Sequence, residues 1–259
     1  MYRPTNTYRR FRQQTHDMMN FTVVVCYAVP SLKTQVKVID AGIAGPDLPR
    51  PDFFTTDTRT PHQVRELTLD YKSTLASNML ISSFSYFEAY VIGVIKEMID
   101  FHGGNDLFIQ LAERRSSQFM TTPHLSGKVK LHKRKLQDRI DKHKQDKYRK
   151  YSRELEAVGY RFPSELLSSY GVRMLISKTH NLRSVDIPDI LQHGLHMKLS
   201  PERLKKFDNI RRTRNDIAHG KRITVLLKDA MNDTNFLNEF GKDIDEHLTE
   251  HFFVIEKYI

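Results

Sequence analysis

The stretch Met79-Leu-Ile-Ser-Ser-Phe-Ser-Tyr-Phe-Glu-Ala-Tyr-Val91 decides the fold class. Through it and beyond it, Leu80, Phe84, Phe87, Val91, Val94, Met98 and Phe101 recur at steps of three and four. That spacing sets side chains on one face of an α-helix. Ile81, Ile92, Ile95 and Ile99 widen the stripe, so this helix is expected to be buried over much of its surface. Gly103-Gly104 follows and suits a left-handed helix stop. Glu88 sits among the isoleucines at helical spacing. A carboxylate there needs either a cationic partner, for which Arg214 or Arg211 further along the chain would serve, or an outlet to water, and the pattern leaves both open.

Downstream, the pattern stays helical. Ser164 to His180 reads as a helix and Ile187 to Leu195 as a short one. Ser200-Pro201-Glu202 is a start signal, with Ser as N-cap and Pro in the first turn. The helix it opens carries Leu204, Phe207, Ile210, Arg214 and Ile217 and is expected to stop at Gly220. A last amphipathic helix is expected over Asn238 to Tyr258.

Upstream, the reading changes. Phe21 to Val29 and Thr34 to Asp40 are rich in β-branched residues (Val23, Val24, Val25, Val36, Val38, Ile39), which favours strand, and Pro30-Ser31 reads as a turn. A β-hairpin is expected there, with Cys26 in its core. A basic start before a short apolar run also outlines a secretory signal, but His16 and Asp17 interrupt it and no small-residue cleavage site precedes Pro30. Gly42 to Pro61, with Pro46, Pro49 and Pro51, reads as a linker. The expected architecture is mainly α: a helical domain over 62–259, preceded by an extension over 1–61 with a small hairpin.

The 259 residues suffice for one large domain, and the single cysteine excludes an internal disulfide or a CxxC metal site. No uninterrupted apolar run approaches the roughly 20 residues of a membrane span, so no membrane role and a cytoplasmic location are expected. The net charge of +10 favours a polyanionic partner, nucleic acid above all. It is concentrated: Lys128, Lys130, Lys133, Arg134, Lys135, Arg139 and six further basic residues up to Arg153 face only Asp138, Asp141 and Asp146. This stretch is a candidate track for an RNA backbone or a solvated charged face.

The sharpest motif is Arg211-Arg212-Thr213-Arg214-Asn215-Asp216-Ile217-Ala218-His219-Gly220. On a regular helix Arg211, Asn215 and His219 share a side, and Arg212 can reach Asp216. Arg214 lies roughly 140° around from His219, so the two do not converge ideally within one chain. Arg214 as a structural ion pair, with His219 as a favourable cation at a helix C-terminus, is the plain structural alternative.

The motif resembles the signature of the HEPN superfamily: Arg, four to six residues, then His, very often with Asn directly after the Arg. Arg214, Asn215 and His219 match it, and Met79 to Val91 resembles the long early helix of HEPN proteins from bacterial defence and toxin–antitoxin loci. The resemblance covers about residues 62 to 259. It implies a HEPN-like helical bundle and a metal-independent endoribonuclease, without cofactor, whose composite site forms in a homodimer. His219 would act in acid–base catalysis on a ribose 2′-hydroxyl, Arg214 would stabilise charge on the phosphate, and Asn215 would assist. Glu88, Arg211 and Asp216 would support them. RNA, a second copy, and an antitoxin or defence-system protein are the implied partners. The place two residues after the His, a modified Tyr in some relatives, is Lys221 here. The alternatives are a non-catalytic module that binds RNA or a nucleotide, and a structural partner whose motif only staples a dimer.

His247-Leu-Thr-Glu-His251 spells the HxxEH of inverted zinc peptidases. That chemistry needs a further acidic ligand well downstream, where only Glu256 remains, so the pair reads as two surface histidines and no metal is expected.

Overall fold

The computed structural model describes residues 2–45, 48, 59–108, 110, 182–221 and 223–253. Among these residues the chain is mainly helical and contains no strand. The principal helices are α1 (Asn6–Asp40), α2 (Pro61–Leu67), α3 (Tyr71–Phe101), α4 (Pro201–Ala218) and α5 (Leu227–His251). The expected short helix after Ile187 is a run of tight turns: 3-10 over Ser184–Asp186, α over Ile187–Asp189 and π over Ile190–Gly194. The expected helix over Ser164 to His180 and the basic stretch from Lys128 to Arg153 lie outside the described residues.

The N-terminal hairpin is overturned. Both expected strands lie inside α1, a helix of 35 residues with Pro30 in its interior. Strand preference in β-branched residues is a matter of tenths of a kcal/mol each, and burial of one helical face overrides it. Thr15, Thr22 and Val36 are buried with Tyr8 and Phe11, at spacings that keep one side of the helix inward. At Pro30, which is exposed, the hydroxyls of Ser31 and Thr34 donate to the carbonyls of Tyr27 (3.0 Å) and Pro30 (3.1 Å). Cys26 is only partly buried, and Phe21, Val24 and Tyr27 are exposed, so this apolar run is no hairpin core.

The start of α1 is fixed by groups far away in sequence. Thr5 is the N-cap, its hydroxyl accepting from the Tyr8 N–H at 3.1 Å. Glu97 of α3 accepts from the N–H groups of Asn6 and Thr7, both at 2.9 Å. Asp245 of α5 accepts from the Thr5 N–H at 3.1 Å, from the Thr5 hydroxyl, and from the Tyr2 hydroxyl at 2.6 Å. First-turn N–H groups have no partner inside the helix, and negative charge is favoured beside them. Burial pushes the Asp245 carboxyl above its usual range, against the hydrogen bonds from Thr5 and Tyr2. α1 then runs antiparallel to α3, from Thr7 beside Glu97 to Lys33 over the Tyr71 ring.

α3 is the centre of the core, with α1, α4 and α5 packed on it. Leu80, Phe84, Phe87, Val91, Val94 and Met98 are buried as expected, together with Ile95 and Ile99, whereas Phe101 and Ile92 are exposed. Phe11, Phe84, Phe87, Tyr90, Phe207 and Phe240 form one aromatic cluster across the four helices. Gly103 (φ 89°) and Gly104 (φ 91°) close α3, with N–H bonds back to Asp100 and Ile99. By length and composition α3 could cross a membrane; its apolar stripe is taken up by this core. Gly241 lets α1 and α5 approach closely: a Cβ there would lie 2.7 Å from Phe11 Cε1, and its carbonyl accepts from the Tyr90 hydroxyl at 2.9 Å. α5 begins at Leu227, earlier than the expected Asn238. Its first turns carry the weak helix formers Asn232, Asp233, Thr234 and Asn235, and packing of Ala230, Thr234 and Leu237 compensates.

Candidate functional site

α4 carries the motif and opens as expected. Ser200 is the N-cap, accepting from the Arg203 N–H at 3.2 Å, and Pro201 follows it. It also closes as expected. His219 is the C-cap, Gly220 takes φ 75°, and the N–H groups of Gly220 and Lys221 return to the carbonyls of Ile217 (2.9 Å) and Asp216 (3.0 Å). Phe207 and Ile210 are buried against α3, which turns Arg214, two helical turns beyond Phe207, toward the same helix.

Arg214 is held there by a set of partners from one turn of α3. Its Nη2 donates to Glu88 Oε2 at 3.3 Å and to Ser85 Oγ at 3.5 Å. Its Nη1 donates to Asn215 Oδ1 at 3.1 Å, and the guanidinium carbon lies 5.7 Å from the Phe84 ring centre. The Arg214 and Glu88 side chains are 25% and 23% exposed, so the pair is shielded from water without being sealed. Arg214 Nε is buried and finds no acceptor among the described residues.

Of the two outcomes left open for Glu88, the structure gives the ion pair, and its partner is Arg214, not Arg211. Arg211 binds Asp208 at 2.6 Å, and Arg212 binds the other oxygen of Asp208 at 2.8 Å. The expected Arg212–Asp216 pair is therefore absent; Asp216 is taken by Lys221 at 2.6 Å, beyond the helix end. His219 is exposed, and its N–H donates to the Asn215 carbonyl at 2.9 Å. So Arg214, Asn215 and Glu88 come together, His219 stands at the open end of the same helix, and Arg211 and Asp216 serve separate pairs. Lys128, Lys130, Lys133, Arg134, Lys135 and Arg139 lie outside the described residues. Phe84 and Ser85 were missed in the sequence; their signal was a shared helical turn with Glu88.

His247 and His251 are not two free surface histidines. A His247 ring nitrogen lies 2.8 Å from the Leu195 carbonyl, and its ring meets that of His251 at 4.9 Å. Burial, more than any neighbour, holds the His247 pKa below the usual histidine value. No group of three or more potential metal-binding side chains occurs among the described residues.

Comparison with protein families agrees with the helical core. The model of the RiboL-PSP-HEPN family matches residues 59–250, and the chain belongs to that family. The match begins after α1 and runs from before α2 to the last turn of α5, across the Arg214 to His219 segment. No curated protein and no solved structure matches the chain.

Proposed function

We propose that the protein is a metal-independent endoribonuclease, acting as a toxin or antiviral effector in the cytoplasm. The observation that carries this is the mounting of Arg214. A guanidinium is oriented by Glu88 and Asn215 on the helix that ends in an exposed His219, within a chain of the RiboL-PSP-HEPN family. Arg214 supplies a fixed positive charge for two phosphate oxygens as negative charge builds. His219 takes the proton of a ribose 2′-hydroxyl or returns one to the leaving oxygen, and the attack leaves a 2′,3′-cyclic phosphate.

Arg214 faces α3 while His219 stands clear at the helix end. A second copy across a two-fold axis would supply the complementary half of each site, so the active form is taken to be a homodimer. In this reading residues 62–259 are the catalytic domain, 1–61 are an extension whose α1 joins the same core, and the basic segment containing Lys128 to Arg139 follows the RNA backbone. Asn215 and Glu88 serve Arg214 directly. Arg211 and Asp216, bound to Asp208 and Lys221, support the helix end. A restraining antitoxin or defence partner would bind over this site.

The same Arg214 pairing would also suit a non-catalytic module that binds RNA or a nucleotide. The two readings part when purified protein, Arg214→Ala and His219→Ala are incubated with RNA in EDTA. Cleavage by the native protein and loss of at least about a hundredfold in each variant is expected. Tight RNA binding without cleavage by the native protein would establish the binding module instead.

A further inference from the structure

We infer that Phe84 is a positioning residue for Arg214, the ring floor that fixes the plane of the guanidinium; this rests on Arg214 being the charge-stabilising group proposed above. The polar partners alone hold that group loosely. The bonds from Nη2 to Glu88 and Ser85 are 3.3 and 3.5 Å, and the bond from Nη1 to Asn215 is 3.1 Å. Strong charge-assisted hydrogen bonds are nearer to about 2.8 Å. Nε is buried and has no acceptor among the described residues. What remains is the flat face of Phe84, 5.7 Å from the guanidinium carbon and itself fully buried. A cation over a ring face is attracted by its negative quadrupole, more strongly where water is excluded.

Phe84 also meets α4 away from Arg214. Phe207, two turns before Arg214 on the same helix, stacks on Phe84 with centres 5.7 Å apart and planes at 28°. Phe84 is thus in contact with both Phe207 and Arg214. Phe207 touches the ring and not the guanidinium, which makes it the natural control: a purely structural role for Phe84 would make the two phenylalanines equivalent.

The test compares Phe84→Leu with Phe207→Leu, both of which keep an apolar side chain of similar volume. The first readout is the ¹⁵N heteronuclear NOE of the Arg214 Nε–H group, assigned by its disappearance in Arg214→Lys. The expected result is a rigid group in the native protein and in Phe207→Leu and a mobile one in Phe84→Leu. The second readout is RNA cleavage, in which Phe84→Leu lowers kcat about threefold to tenfold with KM unchanged, and Phe84→Tyr, which keeps the ring face, restores it. If Phe84→Leu does not fold, Phe84→Met removes the ring equally well. An Arg214 Nε–H that stays rigid without the ring, or that is mobilised equally by Phe207→Leu, overturns the inference. A native protein that cuts no RNA would sink the proposed function while the NOE comparison still decides the role of Phe84.

Discussion

Arg214 gathers Glu88, Ser85, Asn215 and Phe84 and leaves Nε without an acceptor among the described residues, and most of the site's consequences follow from that one side chain. Lysine keeps the charge and loses the planar fork, so Arg214→Lys is expected to lose nearly as much RNA cleavage as Arg214→Ala, measured as kcat/KM on one RNA. Glu88→Ala removes its carboxylate partner from a shielded position. Stability should fall by about 1–2 kcal/mol in denaturant unfolding, with a larger relative loss of activity than of stability. The place of the motif at a helix end was legible in the sequence, because a glycine stop is written within a few residues. The partners were legible only in part. Glu88 declared itself as a charge on an apolar stripe, but which arginine it meets depends on the rotation of α4 against α3. That rotation is set by the apolar packing of the two helices, not by the motif.

Among the elements, α1 shows where local preference misleads. Its valines read as strand because β-branching is visible in the sequence, whereas its buried face meets a distant helix and its start is fixed by Glu97 and Asp245, some ninety and two hundred and forty residues distant. Asp245→Ala would strand the N–H and hydroxyl of Thr5 in a buried site and is expected to cost about 2–3 kcal/mol, measured by thermal or denaturant unfolding. Helix α5 carries a pH effect. The His247 pKa is depressed in the folded chain, chiefly by burial and further by His251, with His196 adding to the effect; the bond to the Leu195 carbonyl and the charge of Glu250 oppose it. The neutral ring is therefore favoured in the fold, and the contribution is whole above the unfolded histidine value of about 6.5. It is lost as pH falls through the lower folded value. Melting temperatures between pH 8 and pH 5 should show the native protein losing stability relative to His247→Gln on the acid side. Parallel curves for the two proteins would remove His247 from the explanation. Gly220 and Ser200, by contrast, were read correctly as the ends of α4, since caps are written within a few residues.

For the whole molecule, the mainly helical class was legible because the stripe on α3 is long and regular. The merging of α1 into the same core was not, because it requires two helices to approach at a glycine. Gly241→Ala would push a methyl into the buried Phe11 ring, and a loss of about 1–3 kcal/mol is expected, read as a drop in melting temperature. The proposed cleavage is tested most directly by the RNA ends it would leave. Total RNA incubated with the purified native protein in EDTA should yield fragments ending in 2′,3′-cyclic phosphate, and preparations of Arg214→Ala and His219→Ala treated alike should yield at least about a hundredfold fewer. Intact RNA from the native protein, or the same yield of cyclic ends from either variant, would contradict it.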